Sequence, residues 1–467
     1  MESWKPPHQT HVETPIKPSP LHGVAAHATA AHCTNTSELV APSEATPRRA
    51  LWLSNLDLGA RNGYSPTVYF FRAPHRVDDK NESFFSAGVL RAALARALVP
   101  FHPFAGRLGA GRDGRAEIDC NAEGALFVVA RSEARLDEFE GFTPSKAMRD
   151  MFVPPYDNAG AGAPLLMLQV TFFRCGGVAL GTAMHHFVID GRSAFHFIQT
   201  WASIARGDDS ATLPPSLDRT PLRARSPPAV HFDHSREYRL TAAASTDPPA
   251  SGCVKPLSEY ASAILRVTGA QTAALRARAG APCVSTFRAL VAHVWRCACA
   301  ARSLAPDAES RLYTMIDMRA RLSPPLPDAY FGNAVVRTSV SARVGDLLSG
   351  PLGFGARRLR AATGQGDEYA RSVVDYLETA DMGALPRSGL PGTDLRVISW
   401  MGMPSHEADF GWGEPAFLAP ALMFYPGFVY LMSCPGKGGD VAVAVSLEPD
   451  RMARFKELFF EEMAAME

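Results

Sequence analysis

Leu165-Leu-Met-Leu-Gln-Val-Thr-Phe-Phe173, Arg174-Cys-Gly-Gly177, Val178-Ala-Leu-Gly-Thr-Ala-Met-His185 and His186-Phe-Val-Ile-Asp190-Gly191 follow one another without a break. Two apolar runs of strand length joined by four residues that end in a glycine pair predict a β-hairpin. The second run delivers His186 and Asp190 to its end, where β-branched Val188-Ile189 and the following Asp-Gly favour strand and turn over helix. Ser193 then reads as the cap of a helix whose face carries Phe195, Ile198, Trp201 and Ile204 and which stops at Gly207. Strand, turn and helix therefore meet at a histidine and a carboxylate four residues apart.

Outward from this point, strands and helices mix along the whole chain, which predicts an α/β fold of mixed sheets flanked by helices. Leu51–Asp57 alternates in part, and Thr67-Val-Tyr-Phe-Phe71 is β-branched and aromatic. Val89, Leu90, Ala93, Leu94, Ala97 and Leu98 recur at helical spacing, with Ser86 as a candidate cap and Pro100 as the stop. Residues 208–255 are rich in Pro, Ser, Asp and Arg without a sustained period, as expected of a long crossover between domains. Beyond it come a helical run around Ser285–Cys299, strand-like segments at Leu312–Ile316, Ala334–Val340, Leu395–Trp400, Phe428–Met432 and Val441–Ser446, and a final helix from Pro449. The expected division is a disordered extension over 1–36, an N-terminal domain over 37–207, the crossover over 208–255 and a C-terminal domain over 256–467.

Composition narrows the function classes. With 47 basic and 47 acidic residues among 467, the chain has no overall bias toward nucleic acid or anionic membrane. Its eight cysteines include no Cys-x-x-Cys pair, which argues against a zinc knuckle or a thioredoxin-like site. No apolar run reaches the ~18 residues of a membrane span, and the N-terminus lacks a signal-peptide layout, so a cytoplasmic location is expected.

Acyl transfer from a thioester needs a base near neutral pKa that takes the acceptor's proton as attack begins, and histidine fits that need. Asp190 has structural duties open to it, selecting the tautomer or fixing the ring and its turn, without entering the proton transfer. If the stretch were helical, His186 and Asp190 would share a face and suit a metal, but further ligands are not evident, and His196 and His293 read as polar rims or core residues. A second feature is Asp409-Phe410-Gly411-Trp412-Gly413, two glycines and two aromatics suited to an anchored turn. The glycine-rich loop, strand lysine and His-Arg-Asp loop of a kinase are missing, Gly109–Gly114 lacks the lysine and hydroxyl of a phosphate loop, and there is no Gly-x-Ser-x-Gly elbow.

The His-x-x-x-Asp-Gly after a strand, paired with Asp-Phe-Gly-Trp-Gly far downstream, resembles the two signatures of the BAHD plant acyltransferases. Leu51–Asp57, Leu98-Val-Pro-Phe-His-Pro-Phe-Ala-Gly-Arg107, Glu117–Asn121, Ser285–Phe287 and Tyr330-Phe-Gly-Asn333 fit in order, so the resemblance covers about residues 37–467. It implies two similar-sized domains of the CoA-dependent acyltransferase type, a channel at their interface, a coenzyme A thioester as cosubstrate, no bound cofactor or metal, and a monomer. It makes His186 the base, and Asp190 a structural residue turned toward an arginine of the second domain, for which Arg319 is the candidate. Asp409, Phe410, Gly411, Trp412 and Gly413 become fold supports, and Trp400 lines the acceptor pocket and helps hold the tetrahedral intermediate.

Within the family, the chain looks most like the hydroxycinnamoyl-CoA branch, with its shikimate, quinate and putrescine transferases. Shikimate-using relatives read Thr-Ser-Trp-Val-Arg where this chain reads Ile398-Ser-Trp-Met-Gly402, so a hydroxyl and a cation are gone. A carboxylate prefers a guanidinium partner, and the loss favours an aliphatic amine such as putrescine as acceptor, with Glu407 or another pocket carboxylate as the expected counter-charge. Arg387 lies close to where those relatives grip the shikimate carboxylate, which keeps O-acylation of shikimate, quinate or another alcohol open. A catalytically silent acyl-CoA-binding relative is a further alternative.

Overall fold

The computed structural model describes residues 36–73, 84–139, 141–156, 162–208, 213–238, 259–280, 282–380, 389–436 and 438–464. The extension expected over 1–36, Thr36 apart, and the candidate Arg387 lie outside them. The described strands are β1 (Thr36–Val40), β2 (Ala50–Trp52), β3 (Tyr64–Phe71), β4 (Arg107–Ala110), β5 (Ala116–Asp119), β6 (Ala125–Ser132), β7 (Leu166–Phe173), β8 (Val178–His185), β9 (Ala261–Val267), β10 (Glu309–Asp317), β11 (Val335–Arg343), β12 (Leu395–Ser399), β13 (Phe417–Pro420), β14 (Phe428–Ser433) and β15 (Val441–Leu447).

Two six-stranded sheets carry the architecture, ordered β1-β6-β7-β8-β3-β13 and β11-β10-β12-β14-β15-β9, with β2-β5-β4 as a small third sheet. Both large sheets are mixed: β6 runs parallel to β7, and β12 runs parallel to β10 and β14, while the other pairs are antiparallel. The hairpin of β7 and β8 closes through Phe173 N–H donating to the Gly177 carbonyl at 2.9 Å, and Gly176 takes φ 82° in the turn. All eight residues of β8 are buried. Gly181 within it has no room for a side chain, since a Cβ there would lie 1.7 Å from the Phe152 carbonyl oxygen.

The helix Gly191–Ala205 follows the histidine turn and packs on the helix Ala87–Ala97, where the Trp201 indole N–H donates to the Leu90 carbonyl at 2.9 Å. Two expected caps differ from what is found. Asp190, not Ser193, caps the later helix, accepting the Ser193 N–H at 3.1 Å, because the carboxylate stands one turn before that N–H while Ser193 is already helical. Ser86 precedes the earlier helix but its hydroxyl makes no cap bond.

Strand alternation in the second sheet explains how the two halves join. On β14, Val429 and Leu431 enter a core shared with Trp295, Leu359 and Phe455 of the helices behind that sheet. Phe428, Tyr430 and Met432 point the other way, into a core that also holds Phe187, Trp201 and Phe410. A sheet buried on both faces reads as continuous apolar sequence, as β14 and β15 do. Each fully buried large apolar side chain contributes about 1.5–3 kcal/mol, so this shared core is a substantial bond between the sheets.

One strand departs from a simple two-part division of the chain. β13 leaves the later half and pairs antiparallel with β3, completing the first sheet at its edge. Pro420 is tolerable there because an edge strand has a side that needs no N–H donor. The crossover, where described, is pinned rather than loose: Arg225 pairs with Asp375, and the His234 ring bonds the Ser372 hydroxyl at 2.9 Å.

Candidate active site

Strand alternation separates the two adjacent histidines. The His185 ring is fully buried, 5.2 Å from the Tyr64 ring, and its Nδ1 accepts the Phe187 N–H at 3.3 Å. Burial, aided by the neighbouring His186 and Arg61, takes its pKa down to about 3, so it is a neutral core residue. His186 comes one residue after the strand ends and is half-buried. Its backbone N–H donates to the Gly63 carbonyl at 2.9 Å, which ties the turn to the start of β3.

The His186 pKa is lowered chiefly by burial; the Arg61 charge lowers it further, while Asp190 and Asn333 act the other way. The ring is therefore neutral at physiological pH, with a lone pair to offer. Its Nδ1 is buried without a hydrogen-bond partner, as is Oδ1 of Asn333.

Asp190 bonds away from the imidazole. Its carboxylate takes Arg319 Nη1 at 2.8 Å and Nη2 at 2.9 Å, the Ser193 N–H at 3.1 Å and the Ala334 N–H at 3.0 Å. Burial alone would raise this carboxyl's pKa, but the Arg319 charge and these hydrogen bonds hold it below the usual carboxylate range. The pair is almost wholly enclosed, with 1% and 2% of the two side chains exposed. Of the duties left open for Asp190, fixing the turn is the one the geometry gives it, since the ring is not among its partners.

A second buried network holds the same turn from its other side. Asn333 Nδ2 donates to the His186 carbonyl at 2.8 Å and to Asp57 Oδ1 at 3.0 Å. Asp57 also closes a capping box with Ser54 and lies 3.6 Å from Arg219 Nε. Arg219 Nη2 donates to the Val188 carbonyl at 2.9 Å. The carbonyls of His186 and Val188 thus end on Asn333 and Arg219, two residues from distant parts of the chain that meet at Asp57. Sequence reasoning gave none of Asp57, Asn333 and Arg219 a role. The capping-box spacing of Ser54 and Asp57 was a usable signal for one of them, and nothing local marks Arg219.

The other expected site residues fall in different places. Trp400 stands beside the first residue of the histidine helix: a Cβ on Gly191 would lie 3.4 Å from its Nε1. Its ring meets Phe195 edge-on at 5.6 Å and Tyr430 at 4.7 Å. Ile398, on β12, is half-buried and faces the core shared by the two halves. Glu407 is exposed and accepts from Gln199 at 2.7 Å, a surface pairing that gives no support to a pocket counter-charge.

Asp409–Gly413 lies at the far end of the helix that Asp190 begins. Asp409 Oδ1 accepts the N–H groups of Gly411 and Gly413, both at 2.8 Å, and the two glycines take φ 99° and 101°. The Asp409 carbonyl accepts from Arg206 at 2.6 Å, Phe410 stacks edge-on against Trp201 at 4.8 Å, and Trp412 meets Phe85 at 5.2 Å. Among the described residues, no group of three or more His, Cys, Asp or Glu side chains could hold a metal, and no helix is long and apolar enough to cross a membrane.

Comparison with known proteins places this geometry in a family. Residues 32–462 match the model of the Transferase family. Putrescine hydroxycinnamoyltransferase 1 of Oryza sativa subsp. japonica is 47% identical, over 91% of this chain and 98% of its own. A hydroxycinnamoyl-CoA:5-hydroxyanthranilate N-hydroxycinnamoyltransferase of Avena sativa is 41% identical, over 90% and 98%. Shikimate O-hydroxycinnamoyltransferase of Nicotiana tabacum is 40% identical, over 91% and 98%. The fold is shared with vinorine synthase, at TM-score 0.70 and 21% identity over 91% of this chain and 96% of that one. It is shared also with an F. graminearum protein solved with coenzyme A and T-2 mycotoxin, at TM-score 0.74 and 18% identity over 88% and 97%. The chain belongs to the Transferase family, the BAHD acyltransferases, and is a CoA-dependent acyltransferase of two-domain α/β fold.

Proposed function

We propose that this enzyme transfers a hydroxycinnamoyl group from coenzyme A to an aliphatic amine such as putrescine, with His186 as the general base. The observation that carries the reading is the half-buried, neutral imidazole at the end of β8, its turn held by two buried networks, one through Asn333 on the His186 carbonyl and one through Asp190 and Arg319 at the start of the following helix. In the reaction the acceptor nitrogen attacks the thioester carbonyl, His186 takes the proton from that nitrogen, and the C–N bond forms. The tetrahedral oxyanion then collapses, the C–S bond breaks, and the proton passes to the departing thiolate. No acyl-enzyme is needed. The Trp400 indole N–H, which makes no hydrogen bond among the described residues, serves as an oxyanion donor, a type of contact whose removal typically costs about 10²–10³ in turnover.

Amide formation is supported by the 47% identity to a putrescine hydroxycinnamoyltransferase and by Ile398 and Gly402 standing where shikimate-using relatives carry a hydroxyl and a cation. Asp190 and Arg319 then act as positioning residues, and Asp409–Gly413 anchors the far end of the histidine helix. The enzyme acts as a cytoplasmic monomer on two soluble substrates. The deciding experiment offers coumaroyl-CoA with putrescine, agmatine, spermidine, tyramine, shikimate, quinate and glycerol and records product masses. Amides should dominate, and a profile of esters alone contradicts the amine assignment.

A further inference from the structure

Arg61 is the residue at this site that neither the fold nor the reaction as described uses. It lies two residues before Gly63, whose carbonyl holds the His186 N–H, so its loop is tied directly to the histidine turn. Its guanidinium stacks 4.0 Å over the Phe424 ring, and its charge acts on the phenols of Tyr156, Tyr430 and Tyr425 and on both His185 and His186. Among the described residues no carboxylate pairs with it, and its Nη2 is buried with no hydrogen-bond partner. The hydroxyl of Tyr425 beside it is likewise buried and unpartnered.

Arg61 is half-buried, and the enclosed part of an unpaired cation is costly, because desolvation there is not repaid by a counter-charge and stacking on a ring offsets only part of it. A guanidinium held this way, with free N–H groups at the edge of an aromatic wall running through Phe424, Phe428, Tyr430 and Trp400, is built to receive an oxygen. We propose that Arg61 is a specificity residue that donates to a hydrogen-bond-accepting oxygen of a substrate. Two sources present that chemistry, the phenol oxygen of the acyl group or a carboxylate on an acceptor. The inference rests on the acyl-transfer reading and adds to it the group that selects among substrates.

The full chain, wild type and with Arg61→Met or Arg61→Lys, is assayed with coumaroyl-CoA against cinnamoyl-CoA, which lacks the phenol oxygen, and with shikimate against putrescine, which lacks a carboxylate. Hydrogen bonds to a charged group are worth about 1.5–3 kcal/mol, so Arg61→Met should raise KM by about ten- to a hundredfold for the oxygen-bearing member of one pair and leave its partner unchanged. Arg61→Lys should recover part of the loss. Selectivity within the donor pair identifies the phenol, and selectivity within the acceptor pair identifies the carboxylate. Equal change within both pairs, or none, overturns the proposal. Calorimetric binding of the same four compounds gives the comparison without turnover, so an inactive wild type would sink the transfer reading while still testing Arg61. Arg61→Met should fold, since it removes an unpaired charge, and a thermal melt checks this.

Discussion

Asp190 and Asp409 each accept two backbone N–H groups, and what else each one touches separates a turn tied across the molecule from one that closes on itself. Asp409 closes its own loop, with both N–H donors within four residues, in a turn whose two glycines are exposed. Asp190 takes one N–H from its own helix and the other from Ala334 in the later half, and adds a bidentate Arg319. The Asp409 carboxylate thus holds only its own loop, whose links to the histidine helix run instead through the Asp409 carbonyl and the Phe410 ring. Asp190 instead fastens the histidine turn to the second sheet, so the position of His186 depends on both halves.

The largest effect expected from breaking that contrast is at the buried ion pair. Arg319→Ala leaves the Asp190 carboxylate enclosed without its partner, and should cost about 3–5 kcal/mol in denaturant unfolding. Pairing Arg319→Met with Asp190→Leu removes both charges and should recover much of that stability while leaving activity impaired. Asn333→Ala, which strips the donors from the His186 carbonyl and Asp57, should cost about 1–3 kcal/mol and lower kcat more than it raises KM, as read from initial rates. Asp409→Ala should cost only about 1–2 kcal/mol, because it removes two short-range hydrogen bonds in a partly exposed turn.

Acidity sharpens the same comparison. The Asp190 pKa is depressed in the folded state, so its stabilising contribution is complete above the unfolded value near 4 and is lost as pH falls through the lower folded value. Unfolding free energy measured against pH should therefore drop below about pH 4 in the wild type, and drop less in the variant lacking both charges. The His186 pKa is also lowered, so kcat/KM should hold its base form across neutral pH and fall only on the acid side of the ordinary histidine value. With putrescine the rate should still climb through neutrality, because the free-amine fraction rises about tenfold per pH unit below a pKa near 10. An alcohol acceptor should show no such climb.

How much of this was legible in the sequence follows from how local each interaction is. The β7–β8 hairpin is present to within one residue, because two continuous apolar runs of strand length and a glycine pair between them are short-range signals. His186 and Asp190 stood out through a motif, and Arg319 through the family resemblance. The cap moved from Ser193 to Asp190, since both are good cap residues and only the backbone decides which one stands before the first turn. β13 escaped notice because four residues ending in proline form a strand only through an edge supplied by β3, more than three hundred positions earlier. Arg219 is hidden for the same reason: it sits in a proline-rich crossover, and its partners, Asp57 and the Val188 carbonyl, are remote in sequence.

The most direct test of the central claim is His186→Ala, assayed for CoA release from coumaroyl-CoA with putrescine beside a thermal melt. A base of this kind is worth about 10²–10⁴ in rate, so turnover should fall by at least that much while the melt is unchanged. A folded variant that still turns over near the wild-type rate would contradict the account.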